Sequence, residues 1–263
     1  EEYQRLHGLD QKLQKAFENQ EFFLVYQPYY NINTGKITGL ETLLRWNCPG
    51  TGVIEAKDFI NALEKSPLML PVSEWILKTA CKQAKIWREQ KILSQPIAIN
   101  ISPIQFHTHS LSDLITDILS ELELEPSAIE FEITESLFLN YNENLQTEIE
   151  KLQALGINLS MDDFGTGYSG LASLKHLPIN KIKIDRSFIK NCKNNFLDQT
   201  IINTISVLAH KLGITVVAEG VENETQLNLL KEHDIDNIQG YYFSRPLTAE
   251  NCESYLKRSA SKD

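Results

Sequence analysis

Residues 22–31, FFLVYQPYYN, and residues 37–46, ITGLETLLRW, are two strand-like runs separated by INTGK at residues 32–36. Aromatic, β-branched and other apolar residues, which are typical of strands, dominate both runs. A parallel pair would need a crossover of about a dozen residues or more, and this linker is too short for one. The sequence therefore predicts that its first two strands are antiparallel.

Beyond this hairpin, strand-like and helical patterns alternate to the end of the chain. Strand-like runs occupy residues 97–101, 129–134, 157–161, 181–184, 215–218 and 238–243. Helical patterns fill the gaps at residues 72–87, 111–122, 145–155, 200–212 and 225–230. Eight strands with repeated helical crossovers favour an α/β fold of the TIM-like (β/α)8 barrel type, with the first strand antiparallel to the rest.

Length, charge and cysteine content exclude several classes of protein. The chain has 263 residues, 42% of them hydrophobic, which suits one barrel-sized core. A formal net charge of −10 argues against a general DNA or RNA binder, because phosphate backbones are held by clustered Lys and Arg. No apolar run approaches the roughly 18 residues needed to cross a bilayer, and no signal peptide opens the chain. We therefore expect no DNA partner and no membrane segment here.

The cysteines and the first residues of the chain bear on its location. Cys48, Cys81, Cys192 and Cys252 form no C-x-x-C pair, so we expect reduced thiols in a cytoplasmic protein. The sequence begins Glu-Glu rather than Met. We interpret it as a fragment of a longer protein, with room upstream for a sensor or membrane domain.

The stretch Met161-Asp162-Asp163-Phe164-Gly165-Thr166-Gly167-Tyr168-Ser169-Gly170 combines adjacent carboxylates with three glycines. Adjacent aspartates repel each other and are costly to desolvate, so a buried pair needs a cation or a shared proton. The glycines, with Asp185 20 residues after Gly165, also match a dinucleotide-binding fingerprint, although the aspartates would face a pyrophosphate with like charge. A glycine turn that merely links a strand to a helix is a third interpretation.

Polar side chains also lie at or near the ends of the other predicted parallel strands. Taken singly, each is most simply a solvated rim residue, a turn residue or a core amide. Because the active sites of (β/α)8 barrels lie where the parallel strands end, we expect these side chains to meet at one mouth. They are Glu41, Arg45, Asn100, Glu132, Glu135, Asp162, Asp163, Lys183, Glu219, Glu222 and Gln239. Lys181 points to the same face as Lys183, and we prefer Lys183 because it is nearer the strand's end.

The chemistry of this set indicates hard cations. Carboxylates with an Asn oxygen, and no convergent His or Cys, suit Mg²⁺ or Mn²⁺ rather than Zn²⁺. Adjacent aspartates can each serve a different ion, and two such ions can activate water and neutralise a phosphodiester. Lys183 could orient or deprotonate that water, and the sequence leaves its charge state open. Arg45, on the strand face of Glu41, is placed to bind a phosphate oxygen.

These residues belong to longer motifs that run in order from about residue 22 to about residue 247. The motifs are Tyr26-Gln27-Pro28, Glu41-Thr42-Leu43-Leu44-Arg45-Trp46, Asn100-Ile101-Ser102, Glu132-Ile133-Thr134-Glu135-Ser136, Asp162-Asp163-Phe164-Gly165-Thr166-Gly167-Tyr168-Ser169, Lys183-Ile184-Asp185, Ala218-Glu219-Gly220-Val221-Glu222 and Gln239-Gly240-Tyr241. As a set they resemble the EAL domain of bacterial cyclic di-GMP phosphodiesterases. The resemblance implies an enzyme of second-messenger signalling that uses two Mg²⁺ or Mn²⁺ ions to open cyclic di-GMP to linear pGpG.

The resemblance also implies roles for individual residues. The metal ligands would be Glu41, Asn100, Glu132, Asp162, Asp163 and Glu219. Lys183 would act on the nucleophilic water, and Glu135 would hold the glycine loop in its productive shape, so that Lys183, Glu41 and Glu135 form the catalytic set. Substrate contacts would come from Gln27, Leu44, Arg45, Glu222 and Gln239.

The same resemblance bears on assembly, and helical periodicity bears on the domain boundaries. Family members form homodimers with the help of the loop that follows the paired aspartates, so we expect a homodimer through residues 163–169. Apolar residues recur at steps of three and four in residues 1–20, which predicts a helix that either joins domains or packs on this one. We assign residues 1–20 to an N-terminal linker-type helix, residues 21–258 to the EAL domain and residues 259–263 to a C-terminal tail.

The chain departs from the family's pattern at two positions. Thr42 replaces the family's name-giving Ala on the strand face opposite Glu41, where we expect it to pack outward with a small effect. Pro67 stands where the family usually has Gly.

One alternative function is a catalytically silent cyclic di-GMP receptor, although silent members typically lack metal or loop residues that this chain retains. The other is a Mg²⁺-dependent enolising enzyme or a nicotinamide enzyme.

Overall fold

The structure is a computed structural model that describes residues 2–108, 110–140, 142–166 and 178–260. The strands are β1 (Phe22–Asn31), β2 (Ile37–Cys48), β3 (Gly52–Glu55), β4 (Ile97–Asn100), β5 (Ile129–Thr134), β6 (Asn158–Phe164), β7 (Lys181–Ile184), β8 (Thr215–Ala218) and β9 (Asn237–Ile238). The helices are α1 (Glu2–Glu18), α2 (Ile60–Glu64), α3 (Met69–Glu89), α4 (Gln105–Thr108), α5 (Leu111–Glu121), α6 (Glu143–Ala154), α7 (Arg186–Lys190), α8 (Phe196–Lys211), α9 (Glu224–Glu232) and α10 (Ala249–Ala260). Short 3₁₀ turns cover Ala56–Asp58, Pro126–Ala128 and Glu135–Asn140.

The strands close into a barrel. Their order is β1-β9-β8-β7-β6-β5-β4-β2, and β1 pairs with β2 to complete the ring. β1 is antiparallel to both of its neighbours, whereas the other barrel pairs are parallel. The predicted fold, a (β/α)8-type barrel with a reversed first strand, is therefore confirmed.

The helices surround the barrel and bury one face each. α3 places Val72, Leu77, Ala80 and Trp87 against the strands, and each of these side chains is essentially inaccessible to solvent. α1 packs at its C-terminal half, where Leu13 and Ala16 are fully buried. Burial of these apolar faces is the main force that holds the outer layer on the barrel.

Several elements differ from the sequence prediction, which did not include α2, α4, α7 or α10. β3 was not predicted; it pairs antiparallel with the end of β2 and extends beyond the barrel. The run predicted at residues 238–243 ends after Ile238, because the chain turns at Gly240. A side chain there would overlap the backbone of Val221, so only glycine fits this close approach.

The barrel interior contains a buried polar layer below the mouth. Lys181 Nζ lies 2.8 Å from both carboxylate oxygens of Glu130 and 3.0 Å from the hydroxyl of Tyr29. Lys183, two residues further along β7, reaches the mouth instead. Lys183, the lysine preferred from the sequence, is thus the one that lies among the acids of the mouth.

The four cysteines are all free, and three of them are buried. Among residues 2–108, 110–140, 142–166 and 178–260, no helix is both long enough and apolar enough to cross a membrane.

Candidate functional site

The carboxyl ends of several barrel strands bring their acids to one lysine. Lys183 Nζ lies 2.7 Å from Glu219 and 2.9 Å from Glu132. It also lies 3.3 Å from both Glu41 and Asp162. These side chains come from β2, β5, β6 and the residue after β8, so the barrel itself sets their separation. Lys183 and Glu132 are almost completely buried.

The acids form two overlapping triads. Glu41, Glu132 and Asp162 make one, and Asp162, Asp163 and Glu219 make the other; within each triad one oxygen of every carboxylate lies within 4.8 Å of the others. Asp162 belongs to both triads, so it is placed between two potential cation positions. Adjacent aspartates can thus serve two ions with Asp162 shared.

A β-bulge aims the paired aspartates. The pairing of β6 with β7 shifts register between Met161 and Phe164, and Asp163 adopts a left-handed backbone with φ +54°. Its amide donates to Asp162 Oδ1 at 3.0 Å. In a regular strand neighbouring side chains point to opposite faces, whereas a bulge re-aims them. The bulge therefore allows both carboxylates to approach the same mouth.

Glu135 supports the turn after the paired aspartates. Its Oε2 accepts a hydrogen bond from the amide of Gly165 at 3.1 Å. Gly165 has φ +97°, which favours glycine, and a Cβ there would lie 2.9 Å from the ring of Phe188. Residues 167–169 of the expected dimer loop, and Gly167 and Gly170 of the dinucleotide fingerprint, lie outside the described residues. The strand before them belongs to a closed barrel rather than to the open sheet of dinucleotide-binding folds.

Two amides hold Glu41 from either side. Asn100 Nδ2 donates to its Oε1 at 3.1 Å, and Gln239 Nε2 donates to its Oε2 at 2.8 Å. Gln239 Oε1 is buried and, within the part of the chain that the structure describes, accepts no hydrogen bond. A buried acceptor without a donor is costly, so this oxygen is suited to accept a hydrogen bond from bound water or ligand.

The pKa values of the acids reflect crowding and desolvation. Desolvation, with the charges of Asp162 and Glu41, raises the pKa of Glu219 to about 8. Desolvation and the charge of Asp162 raise the pKa of Asp163 to about 6. Desolvation likewise holds the pKa of Glu132 well above its usual range.

Glu41 and Lys183 shift the other way, toward their charged forms. Desolvation opposes ionisation of Glu41, but Lys183 and the bonds from Gln239 and Asn100 outweigh it and lower the pKa of Glu41. Desolvation also disfavours the ammonium group of Lys183, but the surrounding carboxylates hold the pKa of Lys183 well above its ordinary value. Lys183 is therefore a cation and a hydrogen-bond donor in this arrangement.

The donor set fits divalent hard cations. The triads offer carboxylate oxygens and no sulfur or imidazole, the ligand chemistry that Mg²⁺ and Mn²⁺ prefer. More acids meet here than the single ammonium of Lys183 can neutralise. Desolvation is the largest cause of the raised pKa values of Glu219 and Asp163, and added positive charge would offset both it and the repulsion from neighbouring acids.

A cavity of about 240 Å³ opens beside the acids. Of the residues predicted from the sequence, Gln27, Glu41, Asp162, Glu219, Glu222 and Gln239 line it. The sequence prediction did not name Leu43, Arg186, Gly220, Gly240 or Tyr241 as site residues, although all but Arg186 lie in its motifs. Arg186 directly follows the Lys183-Ile184-Asp185 motif, so its place at the end of a barrel strand could have indicated it.

Leu44 and Arg45 are not among the described residues that line this cavity. The side chain of Leu44 is buried in the hydrophobic core, and its carbonyl accepts a 2.8 Å bond from Arg45 Nη1. Any contact that Leu44 makes with a ligand would therefore use its backbone. Gln27 is buried and donates from Nε2 to the carbonyl of Ser244 at 3.1 Å.

Comparison with known proteins places this site in a family. The family model described as EAL domain matches residues 10–246. The signalling protein YkoW of Bacillus subtilis (strain 168) is 39% identical over 250 residues, which cover 95% of this chain and 31% of YkoW. MucR of Pseudomonas aeruginosa, named a bifunctional diguanylate cyclase/cyclic di-GMP phosphodiesterase, is 38% identical over 250 residues, or 95% of this chain and 36% of MucR. The chain thus spans about a third of the length of these curated relatives.

A solved structure of the PaMucR phosphodiesterase in complex with c-di-GMP has the same architecture. It superimposes with a TM-score of 0.89 at 37% identity, and the match covers 93% of this chain and 99% of that one. Sequence motifs, barrel topology and the family match over residues 10–246 agree, and the chain belongs to the EAL domain family.

Proposed function

We propose that this chain is a metal-dependent phosphodiesterase that hydrolyses cyclic di-GMP to linear pGpG. The observation that carries the proposal is the pair of carboxylate triads that share Asp162 beside an open cavity of about 240 Å³. Curated relatives named cyclic di-GMP phosphodiesterases, and the c-di-GMP complex of a 37% identical phosphodiesterase, support the choice of substrate.

In this proposal the metal ligands are the oxygens of Glu41, Asn100, Glu132, Asp162, Asp163 and Glu219. Two divalent ions, Mg²⁺ or Mn²⁺, would supply an activated water and neutralise the charge of the scissile phosphodiester. Asn100 and Gln239 fix the carboxylate of Glu41, so its ligand oxygens need little reorganisation. Glu135 keeps the turn at Gly165 in place and thereby holds Asp163 in its left-handed conformation.

Lys183 orients the nucleophile in this proposal. Its ammonium group lies among the acids, which keep it protonated, so it donates hydrogen bonds and holds a positive charge near the developing negative charge. The substrate would lie along the cavity lined by Gln27, Glu222 and Gln239, with its phosphates toward Arg45 and Arg186 and the backbone of Leu44 at the rim.

Assembly and location are part of the same proposal. We infer a homodimer through residues 163–169 and a cytoplasmic catalytic domain over residues 21–258, between a linker-type helix and a short tail. Light scattering of the purified protein at several concentrations would test the dimer.

The proposal is tested by comparing the turnover of wild-type protein with that of a variant that lacks one metal ligand. Wild-type protein incubated with cyclic di-GMP and Mn²⁺ should yield pGpG, measured by chromatography and mass. Glu41→Ala should lower the rate more than about 100-fold, since it removes a ligand and the anchor of two amides. Glu74→Gln, an exposed acid on α3, is the matched control and should retain full activity. Binding of cyclic di-GMP without product, under varied metal conditions, would instead indicate a silent receptor.

A further inference from the structure

The β2–β3 hairpin brings an acidic residue to the rim of the site. In its register Glu55 is the direct partner of Arg45. Side chains of directly opposite residues in an antiparallel pair share one face and lie about 5 Å apart at Cβ. Glu55 therefore shares a face of the hairpin with the arginine that we assign to a substrate phosphate.

A lysine pairs directly with the same carboxylate. Lys57 Nζ lies 2.7 Å from Glu55 Oε2. The hydrogen bond from Lys57 lowers the pKa of Glu55, and the charges of Arg45 and Arg186 add to this effect. Arg186 lines the cavity beside Asp162 and Glu219. One carboxylate is thus paired with Lys57 and lies opposite Arg45 on the hairpin, where the charge of Arg186 also acts on it.

A phosphodiester and this carboxylate bind to the same kinds of cationic group. Both are anions that accept hydrogen bonds from guanidinium and ammonium groups. An acid that already neutralises part of the positive charge at the rim reduces what is left for the substrate, and it also repels the substrate's phosphates.

We propose that Glu55 is an internal competitor for the phosphate-binding cations of the rim and sets the affinity of this domain for its dianionic substrate. The inference rests on the function proposed above and deepens it by adding a residue that opposes binding. Glu55 acts on substrate capture rather than on the bond-breaking step, because it lies on the hairpin outside the carboxylate triads.

The size of the effect follows from exposure. The side chain of Glu55 is 44% exposed, and interactions between exposed charges are weak and screened by salt. Glu55→Gln should therefore lower KM for cyclic di-GMP by about two- to fivefold at low salt, and the difference should shrink at roughly 0.5 M salt.

The experiment compares Glu55→Gln with two matched variants. Glu74→Gln removes an equal charge from a pair of similar distance and exposure, because Glu74 is 46% exposed and lies 2.7 Å from Lys78. It should leave KM unchanged. Glu55→Asp keeps the charge and should keep KM near the wild-type value. Thermal unfolding of each variant shows whether the fold is retained.

Three results would overturn the inference: an unchanged or raised KM in Glu55→Gln, an equal fall in Glu74→Gln, or a fall that persists at high salt. Calorimetric affinity for cyclic di-GMP should be measured alongside KM. If wild-type protein binds but does not hydrolyse the nucleotide, the proposed activity fails, while the affinity difference between wild type and Glu55→Gln still decides the role of Glu55.

Discussion

The ammonium group of Lys183 lies between carboxylates from β2, β5, β6 and the residue after β8. One positive charge cannot balance them, and desolvation together with the remaining repulsion raises the pKa of Glu219. A protein tolerates such an arrangement at a cost in stability, and costly polar clusters in a cavity are typical of functional sites. The residues that oppose a stable fold here are those with a chemical use.

Thr42 is a second residue with a cost, though it lies away from the chemistry. Its side chain is buried, and its Oγ1 has no hydrogen-bond partner among the described residues. Thr42→Val keeps the shape and removes the unpaired hydroxyl, so we predict a gain of about 1 kcal/mol in the free energy of unfolding, measured in urea.

Thr38 on the same strand is the control for Thr42. Its hydroxyl lies 3.0 Å from Asn237 Oδ1. Thr38→Val removes that partner, so the same substitution should destabilise the protein. A loss of stability in Thr42→Val would contradict the assignment of its hydroxyl as unpaired.

At the level of the strands, the buried polar layer below the mouth joins three strands. Lys181 on β7 bonds to Glu130 on β5 and to Tyr29 on β1. Lys181→Met would leave Glu130 buried without its counter-ion, so we predict a loss of about 3 to 5 kcal/mol in the free energy of unfolding.

A double substitution separates the effect of the ion pair from the effect of side-chain packing in this polar layer. Glu130→Gln combined with Lys181→Met removes both charges and should cost less than the sum of the single variants. A double-mutant cycle by urea unfolding measures the coupling. Additive losses would show that the two side chains do not stabilise each other.

Strand direction and sequence periodicity explain how much of the structure could be predicted. The hairpin at residues 22–46 and the alternation after it predict the barrel, because linker length and crossover geometry are local properties. β3 was missed because Gly52-Val53-Ile54-Glu55 is a short edge segment whose pairing depends on β2. The bulge at Asp162 and Asp163 was missed because the register shift arises between strands and leaves no periodic pattern.

The candidate site was predictable to a similar degree. Positions at strand ends identify most of the residues that meet at the mouth, since a barrel projects those ends to one side. A sequence does not show how far along a strand a side chain lies or which way it points. It therefore could not place Leu44 in the core or Arg186 in the cavity. The charge of Lys183 also needed the distances to its acidic neighbours.

The whole molecule should respond to divalent ions in a pH-dependent way. The pKa of Glu219 is about 8, above its ordinary value of 4.5. A carboxyl with a raised folded-state pKa stabilises the metal-free protein at low pH, and this contribution is lost as pH rises through about 8. A cation must displace the proton of Glu219 before this carboxylate can bind it, so cation binding tightens as pH rises toward about 8.

We therefore predict that Mn²⁺ stabilises the protein more at pH 8 than at pH 6. At a concentration of 100 times Kd the gain is about 2.7 kcal/mol, visible as a rise in Tm that EDTA reverses. An equal rise at both pH values, or the same rise in Glu41→Ala, would place the bound ion elsewhere on the protein.

The most direct test of the account is anomalous diffraction at the manganese edge from crystals grown with Mn²⁺. Two peaks are expected at the mouth of the barrel, roughly 3.5 to 4 Å apart, and both should adjoin the carboxylate of Asp162. Ordered protein without manganese between Glu41, Asp162 and Glu219 would contradict the claim that these acids hold a pair of ions.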